Sequence, residues 1–339
     1  MQLKNILKYF LAFIITAGAL YLAFRGQDFD AIGRELSRTS IWALVLSALF
    51  QILAHFVRGW RWQFLLRPVK EKTGLFTAFK AVMAGYAMNN VIPRSGELIR
   101  PAMASVEEKM PFAGTLATII VERIFDVIAL GLLFVFSFFS YEKEFQSAFP
   151  DLAGAKLPLL IIISAGLIVF VAIFVSKGIS RFFLGLIHKI FPKKLADPLA
   201  RAFETFTSGL HGLKRDTALP IILGTVGVWA CYTASTFCGI YAIPGSGIEA
   251  IGLKGAIVLL ALAGIAITIP TPGGTGTYHY FISQALILFF GISPSTAVAF
   301  ATVTHASNYI VITVIGLFFM FSAGVSLKTA KKKEEGGGA

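Results

Sequence analysis

Three charged residues interrupt an apolar stretch that runs from Phe112 to Phe139. Glu122 and Asp126 share one helix face, and Arg123 lies three residues before Asp126. A charge at the centre of a membrane costs at least about 2.5 kcal/mol, so such residues are expected to pair, to contact water or to bind a polar ligand. They could hold an ionic headgroup or lock this helix to the arginines of a neighbouring segment, and the spacing leaves both roles open.

A second polar group occupies the segment N-N-V-I-P-R-S-G-E-L-I-R, from Asn89 to Arg100. Arg94 and Arg100 each lie three residues from Glu97, so one carboxylate could sit between two guanidiniums and leave positive charge free for a phosphate. A proline and a glycine in this segment interrupt helical continuity, and we interpret Pro93 and Gly96 as hinges. The predicted substrate-binding residues here are Asn89, Asn90, Arg94, Ser95, Glu97 and Arg100, followed by Glu122, Arg123 and Asp126.

A third group surrounds the glycine-rich sequence P-T-P-G-G-T-G, from Pro270 to Gly276, which interrupts an apolar run from Gly255 to Phe290. Broken backbone at membrane depth is tolerated only where protein buries it or where it lines a wet cavity. We interpret Pro270 and Pro272 as hinges, and the loop amides as a candidate anion-binding nest. The predicted binding residues of this group are Gly273, Gly274, Thr275, Gly276, His279, His305 and Asn308.

Two further arginines, Arg58 and Arg61, alternate with Trp60 and Trp62 after another apolar run. We predict that these four side chains lie at the membrane edge, where long basic and aromatic side chains reach the headgroups. The alternative is that they bind a lipid headgroup. The five histidines lack ligand spacing, so no metal site is predicted, and no nucleotide or dinucleotide fingerprint predicts another cofactor.

The composition indicates a membrane protein. Of the 339 residues, 56% are hydrophobic and 14% are charged, whereas soluble domains carry about 25% charged residues. The net charge of +12 comes from basic residues that cluster in loops beside apolar stretches. Such clustering is typical of cytoplasmic loops next to anionic lipid and not of nucleic-acid binding.

The hydrophobic pattern predicts an all-α polytopic membrane protein with about six transmembrane helices and two re-entrant or broken helical hairpins. The hairpins cover about Leu75–Met103 and Gly255–Phe290. The predicted full spans are Tyr9–Phe24, Ile41–Val57, Phe112–Phe139, Leu157–Val175, Leu219–Ala242 and Pro294–Phe321. With these spans every basic loop falls on one side, which places both termini in the cytoplasm at the cell (inner) membrane.

The two broken segments are similar to each other. Ala84, Gly85, Ala87 and Pro93 match Ala263, Gly264, Ala266 and Pro272 without a gap, and a proline that opens a long apolar stretch follows each segment, Pro111 and Pro294. We interpret this as an inverted repeat, with a first unit at about 41–139 and a second at about 219–321. The repeat lies in a single membrane domain, 1–327, with an interfacial amphipathic segment at 176–217 and a flexible tail at 328–339.

Three motifs in this order resemble the flippase-like membrane region of lysylphosphatidylglycerol synthases and the stand-alone membrane proteins related to it. They are Asn89–Arg100, the sequence E-R-I-F-D from Glu122 to Asp126, and Pro270–Gly276. The resemblance implies a flippase-like transporter that moves an anionic phospholipid, a polyprenyl-type lipid or another lipid-linked headgroup between leaflets. It does not imply aminoacylation, which belongs to a separate soluble domain of the synthases.

Two alternatives stay open at this point. The protein could be an intramembrane enzyme acting on a lipid phosphate, with Glu122 or His305 as general base, although no nucleophile with an adjacent base is visible. It could also be a membrane partner of a lipid-modifying enzyme that transports nothing itself. A transporter is the favoured interpretation, and the sequence does not decide whether it forms a homo-oligomer.

The predicted topology can be tested by cysteine labelling in a variant that lacks Cys231 and Cys238. Because the two broken segments are expected to enter from opposite faces, Lys72→Cys should react with an impermeant maleimide only from the cytoplasmic side. Ser293→Cys should react only from the outside, as measured in inside-out and right-side-out vesicles. Labelling of both cysteines from the same side would contradict the inverted arrangement.

Overall fold

The computed structural model describes residues 2–148, 164–166, 168, 172, 176–190 and 215–324, and every regular element in this part is helical. The helices are α1 (Gln2–Phe24), α2 (Phe29–Ser37), α3 (Ile41–Leu66), α4 (Leu75–Val91), α5 (Gly96–Glu107), α6 (Phe112–Ser140), α7 (Glu142–Ala148), α8 (Lys177–Ile190), α9 (Arg215–Gly239), α10 (Gly252–Thr268), α11 (Thr277–Phe290) and α12 (Pro294–Ser322). Short 3-10 turns cover Ile248–Ile251 and Pro272–Gly274. The predicted all-α class is confirmed.

Some predicted segments fall outside this part of the chain. Most of the span Leu157–Val175 and the tail 328–339 lie outside the described residues. Of the predicted interfacial segment 176–217, the structure describes helix α8 and the first residues of α9.

Four described helical segments are long and apolar enough to cross a membrane: Ile41–Leu66, Thr217–Gly239, Ile248–Thr268 and Pro294–Ser322. A fifth crossing results if Phe10–Phe24 and Phe29–Ser37, which meet at 87°, form one broken span. Helix α6 has 29 residues, which correspond to about 43 Å, but its three charges lower its apolar character. The polytopic membrane class is therefore confirmed, whereas the count of six spans stays a prediction.

The ends of the helices follow from local sequence. Ser40 caps α3 by accepting a hydrogen bond from the Ala43 amide, and its own amide donates to the Ala242 carbonyl at 2.8 Å. That second bond ties the start of α3 to the chain just after α9, so these helices run antiparallel. Ser293 caps α12, with Pro294 at the first helical position, where a missing N–H costs nothing.

The first predicted hairpin consists of α4 and α5, joined by a four-residue break. Its arms touch at two glycines, since a Cβ atom on Gly96 would lie 1.9 Å from the Gly85 carbonyl oxygen. Asn89 accepts a hydrogen bond from the Gly96 amide at 2.7 Å, and the Ser95 hydroxyl donates to the Met88 carbonyl at 2.8 Å. Arg94 in the break has a φ of 61°, a left-handed conformation that costs a non-glycine residue about 1–2 kcal/mol.

The second predicted hairpin consists of α10 and α11, joined through the 3-10 turn Pro272–Gly274. Gly273, Gly274 and Gly276 all have positive φ angles, of 55°, 76° and 84°. Other residue types rarely adopt this conformation, so the sequence of the loop follows from its backbone geometry. Gly276 also lies against α1, where an added Cβ would come within 2.6 Å of the Thr16 carbonyl oxygen.

The two hairpins enter the helix bundle from opposite ends. The start of α4 lies beside the end of α12, with the Phe76 and Phe319 rings 5.8 Å apart, whereas α11 ends just before the start of α12. The two breaks approach each other, since Arg94 Nη2 donates to the Thr268 carbonyl at 3.3 Å. This arrangement is the one expected from inverted units, although the common origin of the two units stays a prediction.

The close approach of Gly96 to Gly85 gives a test of the first hairpin. Gly96→Ala would force the arms apart, and overpacking of this kind costs about 1–3 kcal/mol or more. We expect a clear loss of thermal stability in detergent, measured by fluorescence-detected size exclusion after heating. Gly18→Ala on α1 is the matched control, because no atom lies within 4 Å of its added Cβ. Equal stability of the two variants would contradict the described contact.

Candidate functional site

Six charged side chains from α3, α5 and α6 form a cluster that we call the ionic cluster. Glu122 and Arg61 are 0% exposed, and Arg58 and Arg100 are 2% and 3% exposed. The members are Arg58, Arg61, Arg100, Glu122, Arg123 and Asp126. The cluster joins the first hairpin to two long helices.

Glu122 is the centre of the ionic cluster. Arg100 forms a forked pair with it, from Nη1 to Oε1 at 3.0 Å and from Nη2 to Oε2 at 2.6 Å. Arg58 Nη1 donates to Oε1 at 2.6 Å, and Arg61 Nη2 lies 3.1 Å from the same oxygen. Three guanidiniums therefore surround one carboxylate.

Asp126 lies one helical turn further along α6 and extends the same contacts. Arg58 Nη1 donates to its Oδ2 at 2.5 Å, and Arg61 Nη2 donates to its Oδ1 at 2.9 Å. Arg123 Nη1 lies 3.6 Å from Oδ2, and this side chain is 41% exposed. Asp126 thus connects the buried arginines to one that reaches the protein surface.

Neighbouring groups fix the positions of the arginines. Gly224 of α9 leaves room for the Arg61 stem, since a Cβ there would lie 2.7 Å from the Arg61 Cβ, and Arg61 Nη1 donates to Thr225 Oγ1 at 2.9 Å. The Trp62 ring lies 3.9 Å from the Arg100 guanidinium carbon, a cation–π contact. Residues of α3 and α9 therefore pack against Arg61 and Arg100.

The prediction that Arg58 and Arg61 lie at the membrane edge is wrong. Helix α3 does not end at Val57 but continues to Leu66, which carries both arginines into the bundle. Trp62 is also buried, and its Nε1 donates to Thr118 Oγ1 at 2.8 Å. The pair of carboxylates on α6 was the signal in the sequence that nearby arginines could be buried against this helix.

The prediction that Glu97 sits between Arg94 and Arg100 is also wrong. Glu97 is exposed, and in the described part of the chain it forms no ion pair. Arg100 instead contacts Glu122, because a fully buried carboxylate gains more from a forked guanidinium than an exposed one does. The predicted lock between α6 and Arg100 of the hairpin is confirmed.

The ionic cluster has an excess of positive charge and unused hydrogen-bond donors. Four guanidiniums face two carboxylates, and among the described residues the Nε atom of each of these arginines has no partner. His55, one turn before Arg58, is 0% exposed, and within the same part of the chain neither of its ring nitrogens has a partner. Its ring lies 4.2 Å from Tyr86. Buried donors without acceptors are costly, which suggests that this region receives a polar ligand.

A small cavity of about 10 Å³ reaches the ionic cluster between α4, α5 and α6. This volume corresponds to about one water molecule. Glu97 is exposed and Arg123 is half-buried, so the rim of the cavity lies at the surface of the protein, while Arg100 lies at its buried end. Tyr86 and Asn89 complete its polar lining.

The second break contains a pair of histidines. His305 Nε2 is 2.9 Å from the Gly273 carbonyl oxygen, and the His279 and His305 rings lie 4.8 Å apart. Three of the four amides of the predicted anion nest, Gly273 to Gly276, already have partners in this structure, and the nest stays a prediction. The Gly274, Thr275 and Gly276 amides donate to Thr271 O, Pro272 O and His279 Nδ1, so they are already occupied.

Polar side chains also connect the two breaks. Tyr309 donates to the Asn90 carbonyl at 2.8 Å, and Asn90 Nδ2 donates to Thr313 Oγ1 at 2.8 Å. An added Cβ on Gly273 would lie 2.7 Å from Asn90 Oδ1. The Oδ1 atom of Asn308, on the same helix as Tyr309, is buried without a partner in the described part of the chain.

The predicted site residues therefore fall into two groups. The structure brings Arg100, Glu122, Arg123 and Asp126 together in the ionic cluster, and it brings the glycine loop, His279 and His305 together at the second break. Asn89, Asn90 and Ser95 stabilise the first break and its contact with α12. In the described residues, no group of three or more histidine, cysteine or acidic side chains is placed to hold a metal ion.

The contribution of Glu122 to stability can be measured by making the same substitution, Glu to Gln, at a buried and at an exposed position. Glu122→Gln leaves three buried guanidiniums around a neutral amide, and breaking a buried pair costs about 3–5 kcal/mol. Glu97→Gln makes the same chemical change at an exposed site without an ion pair, and should alter stability by less than about 0.5 kcal/mol. The free energies of unfolding of the two variants are compared in mixed detergent, with unfolding followed by tryptophan fluorescence. Similar stabilities would contradict the central role of Glu122.

The comparison with known proteins agrees with these observations. Residues 9–316 match the family described as "Lysylphosphatidylglycerol synthase TM region". Among curated proteins, a UPF0104 membrane protein of Methanothermobacter thermautotrophicus is 24% identical over 98% of this chain and 100% of its own length. A UPF0104 membrane protein of Methanocaldococcus jannaschii is 20% identical over 86% of this chain and 88% of its own length.

A third relative is longer. Glycosyltransferase AglD of Haloferax volcanii is 21% identical over 84% of this chain, and the match covers 49% of that protein, so the chain spans about half its length. The family match covers most of the sequence and confirms the resemblance of the three motifs. The chain therefore belongs to the family of the lysylphosphatidylglycerol synthase transmembrane region.

Proposed function

We propose that this protein moves a lipid with an anionic, phosphate-bearing headgroup between the two leaflets of the cell membrane. The observation that carries the proposal is the excess of buried guanidinium over carboxylate in the ionic cluster. Phospholipids and polyprenyl-type lipids both supply a phosphate of this kind. The description of the family, which names lysylphosphatidylglycerol, supports a lipid ligand.

The chemistry of the ionic cluster suits phosphate in particular. A guanidinium binds phosphate through two parallel hydrogen bonds, and the unused Nε donors of Arg58, Arg61 and Arg100 offer further contacts. An anion bound here would offset the excess positive charge, which is expensive to hold in a low dielectric. The bound state is thus expected to be electrostatically more balanced than the empty one.

The arrangement of charges also suggests how the phosphate passes. While no headgroup is present, Glu122 and Asp126 form ion pairs with the arginines. A phosphate can then replace one carboxylate, and every guanidinium keeps an anionic partner. The cavity with Arg100 at its buried end is the proposed entrance. The acyl chains stay in the surrounding lipid, so only the headgroup requires a polar path.

The two breaks are the proposed moving parts. Broken helices that meet inside a bundle from opposite ends are typical of transport sites. Arg94, with its left-handed backbone and its bond to the Thr268 carbonyl, joins the two breaks. Strained residues of this type persist where the surrounding structure holds them, and they concentrate at functional sites.

A transfer assay in proteoliposomes tests the proposal. The wild-type protein should transfer fluorescent phosphatidylglycerol between leaflets faster than fluorescent phosphatidylcholine, followed by dithionite quenching. Arg100→Lys keeps the charge but loses the fork to Glu122, and it should slow transfer about tenfold, equivalent to about 1.4 kcal/mol. Arg34→Lys, at an exposed arginine of α2, is the matched control.

Two outcomes would overturn this function. One is equal transfer by the wild-type protein and by liposomes without protein. The other is a chemically altered lipid after incubation, detected by mass spectrometry, because a transporter returns its lipid unchanged. That second result would favour the intramembrane enzyme as the alternative.

A further inference from the structure

The histidine pair of the second break occupies the place that an ion pair holds in the first. Arg100 and His279 each lie seven residues after the matched prolines Pro93 and Pro272. In the same way Glu122 and His305 each lie eleven residues after Pro111 and Pro294. Arg100 and Glu122 are in contact at 2.6 Å, and the rings of His279 and His305 are 4.8 Å apart. A pair that can change its charge therefore stands where the first unit has a permanently charged pair.

The hydrogen bonds fix where an additional proton can bind. The Gly273 carbonyl oxygen only accepts, so His305 Nε2 carries a hydrogen. The Gly276 amide donates to His279 Nδ1 at 3.4 Å, so that nitrogen carries none. The His279 ring is therefore neutral in this arrangement, and an additional proton on it would bind at Nδ1. Because the rings are close, one added proton would oppose the addition of a second.

Protonation of His279 would act directly on the glycine loop. An added proton turns Nδ1 from an acceptor into a donor that faces the N–H group of Gly276. The bond that holds the loop to the start of α11 is then lost, and the two donors repel each other. Gly276 lies against α1, so the loop can move only if this contact opens as well.

The surroundings of the pair are aromatic and neutral. The Tyr278 ring lies 5.1 Å from His305, the Tyr309 ring lies 5.7 Å from His305, and the Phe24 ring of α1 lies 6.2 Å from His279. In the described part of the chain, no acidic side chain forms an ion pair with either ring. From α4, the facing polar group is the uncharged Asn90.

Charged groups on the other neighbouring elements lie away from the rings. Arg94, between α4 and α5, bonds to the carbonyl of Thr268 at the end of α10. The charged residues of α2 that form ion pairs, Asp28, Arg34, Glu35 and Arg38, pair with one another at the protein surface. Helix α7, which carries Glu142 and Glu144, meets the far end of α11 through the stacked rings of Phe145 and Phe289.

We infer that the His279–His305 pair is a proton-binding site that opens the second break when it is occupied. Proton uptake on this pair then admits the anionic headgroup to the path between the breaks, a role that rests on the proposed function. Proton uptake and loop opening do not depend on transport and can be measured separately. Because proton uptake is proposed to favour anion binding, a bound anion should favour proton uptake by the same factor, since binding free energies are coupled reciprocally.

The first experiment observes the rings directly. Protein labelled with ¹³C at histidine Cε1 is titrated in lipid nanodiscs, with the signals of the pair assigned from His279→Asn and His305→Gln. We expect the two signals to shift together through one titration as the pH is lowered from about 8 to about 4. Two signals that stay unchanged over this range would overturn the inference.

The second experiment observes the loop. Thr275→Cys, in a variant without native cysteines, should react with maleimide about fivefold faster at low than at high pH after normalisation to the exposed Ser37→Cys. His279→Asn keeps an acceptor for the Gly276 amide but cannot take up a proton, so it should abolish that dependence. His305→Gln keeps the donor to Gly273 O and serves as a second variant if the first does not fold. Unchanged pH dependence in both variants would overturn the inference.

The two proposals can fail independently. If the rings titrate and the loop opens while no lipid is transferred in proteoliposomes, the transport function fails and the proton site stands. If lipid is transferred but the pair does not titrate, the proton site fails and the transport function stands.

Discussion

The structure depends on the neutralisation of one buried carboxylate. Glu122 is fully enclosed, and forked and single contacts from three arginines hold it. Those arginines come from α3 and α5, so the charge on α6 determines where the long helix and the first hairpin pack. Buried pairs of this kind add little net stability compared with apolar packing, but they specify the arrangement because every mismatch leaves a charge unpaired. The same contacts also leave positive charge for a ligand.

Small residues make the remaining contacts possible. Gly96 meets the backbone of Gly85, and Gly316 meets the backbone of Met83, at distances that leave no room for a Cβ atom. Helices in membranes gain little from the hydrophobic effect between them and rely on such close packing. Helices can therefore approach each other closely at these glycines.

The fold class could be predicted from the sequence because the length of the apolar stretches indicates membrane-spanning helices. The two breaks could be predicted because prolines and glycines interrupt such stretches. The lock between Arg100 and α6 was also predictable, since a buried carboxylate requires a cation. The burial of Arg58 and Arg61 was not recognised, because a basic and aromatic segment after an apolar run is typical of a membrane edge. The pairing of Glu97 failed for a related reason, since sequence spacing says nothing about which partner is buried. In the structure Arg58, Arg61 and Arg100 all pair with the carboxylates of α6, and the exposed Glu97 pairs with none of them.

The central claim is that the excess guanidinium of the ionic cluster binds a lipid phosphate. A structure determined in nanodiscs with an anionic phospholipid tests this claim most directly. The account predicts phosphate oxygens at about 2.7–2.9 Å from guanidinium nitrogens of Arg58, Arg61 or Arg100, with at least one carboxylate contact of the cluster replaced. Lipid phosphate found only on the outer surface of the protein, with Glu122 still held by all three arginines, would contradict it.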